Sequence, residues 1–595
     1  TLSPSSAASD VYKRQDIATL EVISLRVVEF VRVDYYSQYG REESLTPYPL
    51  QHDVRGLLTR PRVLAEPLLA FEFRDGRLIG SKVADYVIEP HSPVVIPKPE
   101  FIRELIGVKG DVVIGALTIG EEIVRVGDTV AKVTIPLSDL VYHMFIVGTT
   151  GSGKTSFVKN LIKSLLSQKD VSVVCVDYNG DYVQTILDPV WTVEGEEERE
   201  EDRLAEELYG GRGGLQRIRV LLPLTKYFVA NHHVDSFKKM AEEYYKCALK
   251  RIVSRFYGSK MKAEFSEKDG KGIIKLVTDS GDERGPTIEV IPYALEFTKT
   301  KNKISELYPY FTLLAREGLA SLFKYIDSKS EKIGSLRKIE IKMAKGKEKV
   351  VVVPIKFEES LEGYLNVIDK WYTEDRYGFA RTVKISDKTL GNIVRGLTRL
   401  FEMGVFDVKI GSTSVGEPDM DKVIERGVLT VFDLHVLETE PGVSLRARRV
   451  LTLRLLRRIL GWKMSMEFEE TPLTIVLVDE AHEFFPRRAE EEREYVKYVS
   501  GTLEKIARLG RVRGLGLLLS THSPKDVHNT VLNLCNHKVI FRLDPSVIDE
   551  LDLPREYRDF VTKASDRVGV LKSHALRLHY VTFKTSLPVL GHFKR

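Results

Sequence analysis

Cysteine is nearly absent: Cys175, Cys247 and Cys535 are the three in the chain. With no CxxC pair among them they can build neither a disulfide framework nor a structural zinc site, which suits a reducing compartment. No run reaches the roughly 18 apolar residues that a membrane helix needs, and nothing near the start has the charged-then-apolar layout of a signal peptide. Excess charge is missing too, with 89 Lys and Arg against 85 Asp and Glu. Contact with nucleic acid is neither required nor excluded by so even a balance, and would have to come from local placement. Apolar residues are plentiful, at 43% of 595. That is enough for more than one core, and disordered, collagen-like or coiled-coil descriptions fit poorly. At roughly 150 residues per domain the length allows about four units, and no internal repeat is visible.

Residues 1–16 are Ser/Ala-rich and patternless, as expected of a disordered or non-native tail. From 17 to 139 the runs Glu21 to Tyr36, Leu68 to Phe73 and Asp111 to Leu117 bunch β-branched and aromatic residues between turns, predicting a β-rich, barrel-like domain. At 140–190 the texture becomes α/β. A buried strand (His143 to Gly148) leads through a glycine-rich turn to a helix with Phe157, Leu161, Ile162 and Leu165 on one face, and Val171 to Tyr178 is the next strand. Residues 191–422 read as a helical or mixed insertion. Within it, Lys329 to Lys349 carries eight Lys or Arg against three Glu around the alternating run LRKIEIKMAK, a charged surface ribbon or a DNA-facing basic hairpin. The α/β signal resumes over 423–595 with strands at Val428 to Leu434, Ile475 to Asp479, Gly514 to Thr521 and His537 to Leu543. Strands alternating with helices predict a doubly wound, mostly parallel sheet.

Gly148, Thr149, Thr150, Gly151, Ser152, Gly153, Lys154 and Thr155 match GxxxxGK[ST] without deviation, between a strand and a helix as the motif requires. Glycines let backbone N–H groups turn inward around phosphates, and the following helix offers its positive end to them. Lys154 can reach the β- and γ-phosphates and Thr155 can give its hydroxyl oxygen to Mg2+. The complement should be an acid at the end of an apolar strand, and Asp479-Glu480 supplies it. Asp479 is placed to hold the magnesium shell and Glu480 to polarise the attacking water. Read locally, the same acids could simply open the next helix.

Taken together, GTTGSGKT, VDYNGDY (Val176 to Tyr182), LVDEAHEFFP (Leu477 to Pro486), IARLGRVRGLGLLLSTHSP (Ile506 to Pro524) and the strand ending in Arg542 resemble HerA, of the HerA/FtsK group of hexameric DNA-translocating ATPases. The resemblance covers the β-rich start and both halves of the α/β core and fades across the central insertion. It implies an N-terminal β-barrel, a RecA-like core, ATP and Mg2+ as cofactors, and a homo-hexamer threaded by double-stranded DNA. It also implies a NurA-like nuclease as partner in DNA-end processing, or, in a related branch, a membrane channel for DNA transfer. The implied location is the cytoplasm, peripheral to the membrane in the second case.

On that resemblance Lys154, Thr155, Asp479 and Glu480 fall on the family's nucleotide and hydrolysis positions. Arg511 falls on the arginine finger that enters the neighbouring subunit's site, where a fixed guanidinium fork suits transferring phosphoryl oxygens. Asp177, Asn179 and Asp181 match a family stretch after the second strand; alone they read as a polar loop. Two positions depart from the pattern. Thr521-His522 stands where a γ-phosphate-sensing Gln is usual, and Tyr142 where an Arg is found, leaving Arg542 as a substitute cation. Weakened chemistry at those positions would instead suit a nucleotide-dependent scaffold. For DNA contact, the basic stretch near Lys338 and some of the arginines Arg446, Arg448, Arg449, Arg454, Arg457 and Arg458 are the candidates.

Overall fold

A computed structural model describes residues 19–34, 59–74, 77–83, 106–108, 110–278, 285–301, 303, 311–334, 336–345, 349–438, 440, 443, 445–487 and 493–593. The patternless tail lies outside them. Apolar runs without alternation belong in the middle of a parallel sheet, covered on both faces, and that is where they are found. The core elements are β1 (Met144–Val147), α1 (Lys154–Leu166), β2 (Val171–Asp177), β3 (Arg217–Pro223), β4 (Thr287–Tyr293), β5 (Leu429–Asp433), α2 (Leu445–Ser465), β6 (Leu473–Val478), α3 (Arg493–Gly510), β7 (Leu515–Thr521) and β8 (His537–Ile540). The eight strands are parallel and lie in the order β4–β3–β5–β2–β6–β7–β1–β8. Two antiparallel strands, β9 (Val568–Lys572) and β10 (Tyr580–Lys584), continue the sheet beyond β8.

Side chains alternate between the two faces, so one strand feeds two cores. Met144 and Ile146 join Phe157, Leu161 and Leu165 of α1 on one face. Phe145 and Val147 join Leu451 and Leu455 of α2 and Leu503 and Ile506 of α3 on the other. Each fully buried Leu or Phe is worth about 1.5–3 kcal/mol before chain entropy is charged against it. With helices on both faces, the sheet is the doubly wound one the sequence implied.

The stretch 191–422 contains the expected helices, yet β3 and β4 within it extend the central sheet, and a hairpin (Met261–Lys268 and Lys271–Thr278) pairs antiparallel with β4. Their charges disguise them in sequence. Arg219 is buried in β3 and is paired with Glu289 of β4 and with Glu425. The alternating run Leu336–Lys345 pairs with Lys349–Glu358 as an antiparallel hairpin, with the intervening tip outside the described residues.

Of the β-rich start, Thr19–Asp34, Thr59–Arg74 and Arg77–Val83 form a three-stranded antiparallel sheet. Most of the segments that would close a barrel, 35–58 and 84–105, lie outside the described residues. Val112–Ile119 belongs elsewhere, pairing with β10 at the end of the central sheet.

Two histidines beside β1 are held neutral by the fold. His143 accepts a hydrogen bond from Leu517 N–H through Nδ1 (3.0 Å), and His537 places Nε2 2.9 Å from the Asp139 carbonyl. Burial is the main cause that lowers both to about 4. As pH falls below about 6.5 the unfolded chain binds protons that the fold refuses, so stability should drop on acidification. Between pH 7.5 and 5 the expected loss is about 2 kcal/mol per histidine. Urea unfolding at the two pH values would read it, and an unchanged midpoint would count against neutral burial.

Candidate active site

Because β1, β2, β6 and β7 are parallel and adjacent, their carboxyl ends share one edge, where open α/β sheets hold ligands. The glycine-rich loop leaves β1 there and the acid pair leaves β6. β7 lies between those two strands, which puts Thr521-His522 between the halves of the site.

The loop is braced from behind. Thr149 N–H donates to the Arg542 carbonyl (2.9 Å), the Ser152 hydroxyl to the Thr149 carbonyl (2.7 Å), and Arg567 N–H to the Ser152 carbonyl (2.9 Å). Gly153 has φ +100°, and a Cβ there would stand 2.9 Å from the Arg567 backbone, so glycine is required both for conformation and for space. Gly151, with φ +81°, faces open space at the loop crest beside the exposed Thr150. The loop then runs straight into α1, whose first residues are Lys154 and Thr155.

Lys154 is buried and uses its ammonium on the Gly148 carbonyl (2.5 Å), the Thr149 carbonyl (3.2 Å) and His522 Nδ1 (2.8 Å). Burial drives its pKa down to about 8 against the pull of Glu480 and Asp479. Asp479 is buried, and burial followed by repulsion from Glu480 and Asp181 pushes it up to about 7. Glu480 sits at φ +48° and ψ +51°, a left-handed conformation that costs a non-glycine residue on the order of 1 kcal/mol. Its carboxylate meets His522 Nε2 at 2.7 Å, His482 Nδ1 at 3.5 Å and Asn179 Nδ2 at 3.5 Å. Burial alone would raise Glu480; the hydrogen bond from His522, with the pull of His482 and Lys154, outweighs it and holds the carboxylate below its usual range.

Of the polar stretch after β2, Asn179 approaches the acid pair through Glu480. Asp177 is fully buried, and its carboxylate accepts the N–H groups of Gly180 (2.8 Å), Asp181 (3.1 Å) and Tyr182 (2.8 Å), shaping the loop. Arg542 serves the loop through its backbone carbonyl, while its guanidinium pairs with Asp566 at 2.8 Å. His482, which touches both Glu480 and Thr521, is a neighbour that the motif pattern did not single out.

Arg511 stands at the other edge. It precedes β7 by four residues, and at about 3.3 Å per strand residue this sets it roughly 20 Å or more from its own loop. It is exposed, with its guanidinium 4.3 Å over the Tyr142 ring. Tyr142, found where the pattern has Arg, thus cradles the finger candidate.

The arginines of α2 are turned into the fold. Arg454 and Arg458 reach Glu417, Arg457 stacks on Tyr498, Arg449 bonds the Glu483 carbonyl, and Arg448 lies over Tyr178. Arg448 and Arg454 are buried, Arg449, Arg457 and Arg458 are half-buried, and the Arg446 side chain lies outside the described residues.

Residues 112–220, which carry β1, the loop, α1, β2 and the start of β3, match the family model described as "Helicase HerA, central domain". The match makes this stretch of the chain similar to the central domain of HerA. A "probable helicase" of Methanocaldococcus jannaschii is 24% identical to this chain over 192 residues, which is 32% of each protein. The chain therefore spans about a third of that relative's length. Among solved structures, VirB4 of Thermoanaerobacter pseudethanolicus aligns at 12% identity over 80% of this chain and 96% of its own, with a TM-score of 0.40. The bacterial conjugative coupling protein TrwBdeltaN70 aligns at 11% identity over 84% and 94%, with a TM-score of 0.43.

Proposed function

We propose that the chain is an ATP-driven translocase of double-stranded DNA that works as a homo-hexameric ring, with a nuclease partner in DNA-end processing. The observation that carries this reading is the convergence of Lys154, His522 and Glu480, from three separate strand ends, on one pocket behind a phosphate-binding loop. Thr155 and Asp479 are hard oxygen donors of the kind magnesium takes. Asp479 is a buried carboxylate repelled by Glu480 and Asp181 and only partly offset by Lys154, so a divalent cation would relieve that repulsion. Among the described residues no group of three or more His, Cys, Asp or Glu could hold a metal ion alone. Magnesium here would therefore share its shell with phosphate oxygens and water, and when bound it would neutralise charge on the β- and γ-phosphates. Lys154 binds those phosphates, and Glu480 takes the proton of the attacking water.

The position of Arg511 supports the ring. A guanidinium at the opposite edge of the sheet cannot serve its own loop, but a head-to-tail neighbour could present it to the next copy's loop. DNA is inferred from the family, with the basic hairpin Leu336–Glu358 as the candidate contact to backbone phosphate. The same site would serve a motor docked at a membrane channel for DNA transfer. Among the described residues no helix is long and apolar enough to cross a membrane.

Co-expression of Arg511→Ala with Lys154→Ala subunits tests the ring. Each homogeneous protein should lose hydrolysis, Arg511→Ala by about 1,000-fold or more. In a mixed ring about a quarter of the sites pair an intact Lys154 with a neighbour's intact Arg511, and activity should return in proportion. No recovery in demonstrably mixed rings would place Arg511 outside its neighbour's site.

A further inference from the structure

Among the described residues, His522 touches both halves of the site, Lys154 on one side and Glu480 on the other. An ammonium has only donors, so Nδ1 of His522 must accept from Lys154 at 2.8 Å. The ring's hydrogen then sits on Nε2 and is donated to Glu480 Oε1 at 2.7 Å. Lys154 has three N–H groups, and the Gly148 carbonyl, the Thr149 carbonyl and His522 take all three. An arriving phosphate must draw Lys154 away from at least one of them. The imidazole is the partner that belongs to a separate strand end, whereas the two carbonyls belong to the loop that cradles the phosphate.

We infer that His522 is a positioning residue that couples occupation of Lys154 by phosphate to the setting of Glu480, so that the water-activating carboxylate is brought to its working position when nucleotide arrives. The inference rests on the proposed ATP hydrolysis and deepens it. Other groups facing this relay are His482, which approaches Glu480 Oε2 at 3.5 Å and Thr521 Oγ1 at 3.2 Å, and Asn179. Neither of them touches Lys154 by any contact the structure shows, and so neither can carry the same message.

Single-turnover hydrolysis and ATP affinity of the full chain separate relay from mere packing. His522→Leu keeps bulk but breaks both bonds. It should bind ATP a few-fold more tightly, because Lys154 is freed from a competitor, and hydrolyse it about 10- to 100-fold more slowly, because Glu480 is no longer set. His522→Gln retains one acceptor and one donor and should recover most of the rate. In a Glu480→Gln background, His522→Leu should have little further effect on the rate, since the relay acts through Glu480. A residue that only packs would weaken binding and rate together and add its effect to that of Glu480→Gln. Tighter binding with slower turnover, rescue by Gln and non-additivity support the relay. Full-rate His522→Leu, failure of Gln in a folded protein, or additivity overturns it. Absence of hydrolysis by the unsubstituted chain would overturn the ATPase reading instead, so the two failures are distinguishable.

Discussion

Lys154→Ala is expected to abolish measurable ATP hydrolysis and to weaken nucleotide binding by at least about 100-fold, which corresponds to about 2.7 kcal/mol. The size of the effect follows from the surroundings. The ammonium is buried, and burial has already brought it down to about 8, so it is poorly solvated and gains more from a phosphate than a surface lysine would. No other cation touches the crest of the loop in the described structure: Arg542 points to Asp566 and Arg567 to Glu201. The loop itself should survive, because Arg542, Arg567 and Ser152 brace it through contacts that do not involve Lys154. Equilibrium binding of a fluorescent ATP analogue, beside a thermal melt, checks both halves. Retained affinity would remove Lys154 from the phosphate site.

Glu480→Gln should separate binding from chemistry. Gln has the same length and can still accept from His522 Nε2, so the pocket keeps its shape and ATP affinity should stay within a few-fold of the parent. It cannot take a proton from water, and turnover should fall by about 100- to 1,000-fold. The native carboxylate suits this work in two ways. Contacts with His522, His482 and Lys154 keep it ionised despite burial, and a left-handed backbone turns it away from the course of β6. Normal turnover in Glu480→Gln would shift the water-activating role to another group, with Asp479 the nearest carboxylate.

How much of this could be read from the chain depends on how local each feature is. The phosphate loop is eight consecutive residues with a strand before and a helix after, so its identity needed no tertiary information. The acid pair was legible because an apolar run ending in Asp-Glu has few other uses beside such a loop. What the sequence could not show was strand order. That β7 lies between β1 and β6 is a property of the sheet, and it alone turns His522 from a departure from a pattern into a bridge between Lys154 and Glu480. Strand direction likewise sets Arg511 at the far edge, which linear proximity to His522 conceals. The same limit explains α2. Spacing showed an arginine-rich helix with a leucine face, but only packing shows that Glu417, Tyr498 and Tyr178 claim the arginines. β3 and β4 were obscured for a related reason, since Arg219 and Glu289 read as surface residues until seen paired across neighbouring strands. Asp177 matched a family stretch and also read as part of a polar loop, and in the fold its carboxylate accepts three N–H groups of that loop.

The most direct test of the account is the steady-state ATP hydrolysis rate of the full chain, measured with linear double-stranded DNA, with single-stranded DNA and with neither, and Lys154→Ala as the blank. A motor that runs on duplex should hydrolyse ATP slowly alone and several-fold faster with linear duplex, with single strands well behind. Hydrolysis that no DNA changes, or the same rate from Lys154→Ala, would contradict it.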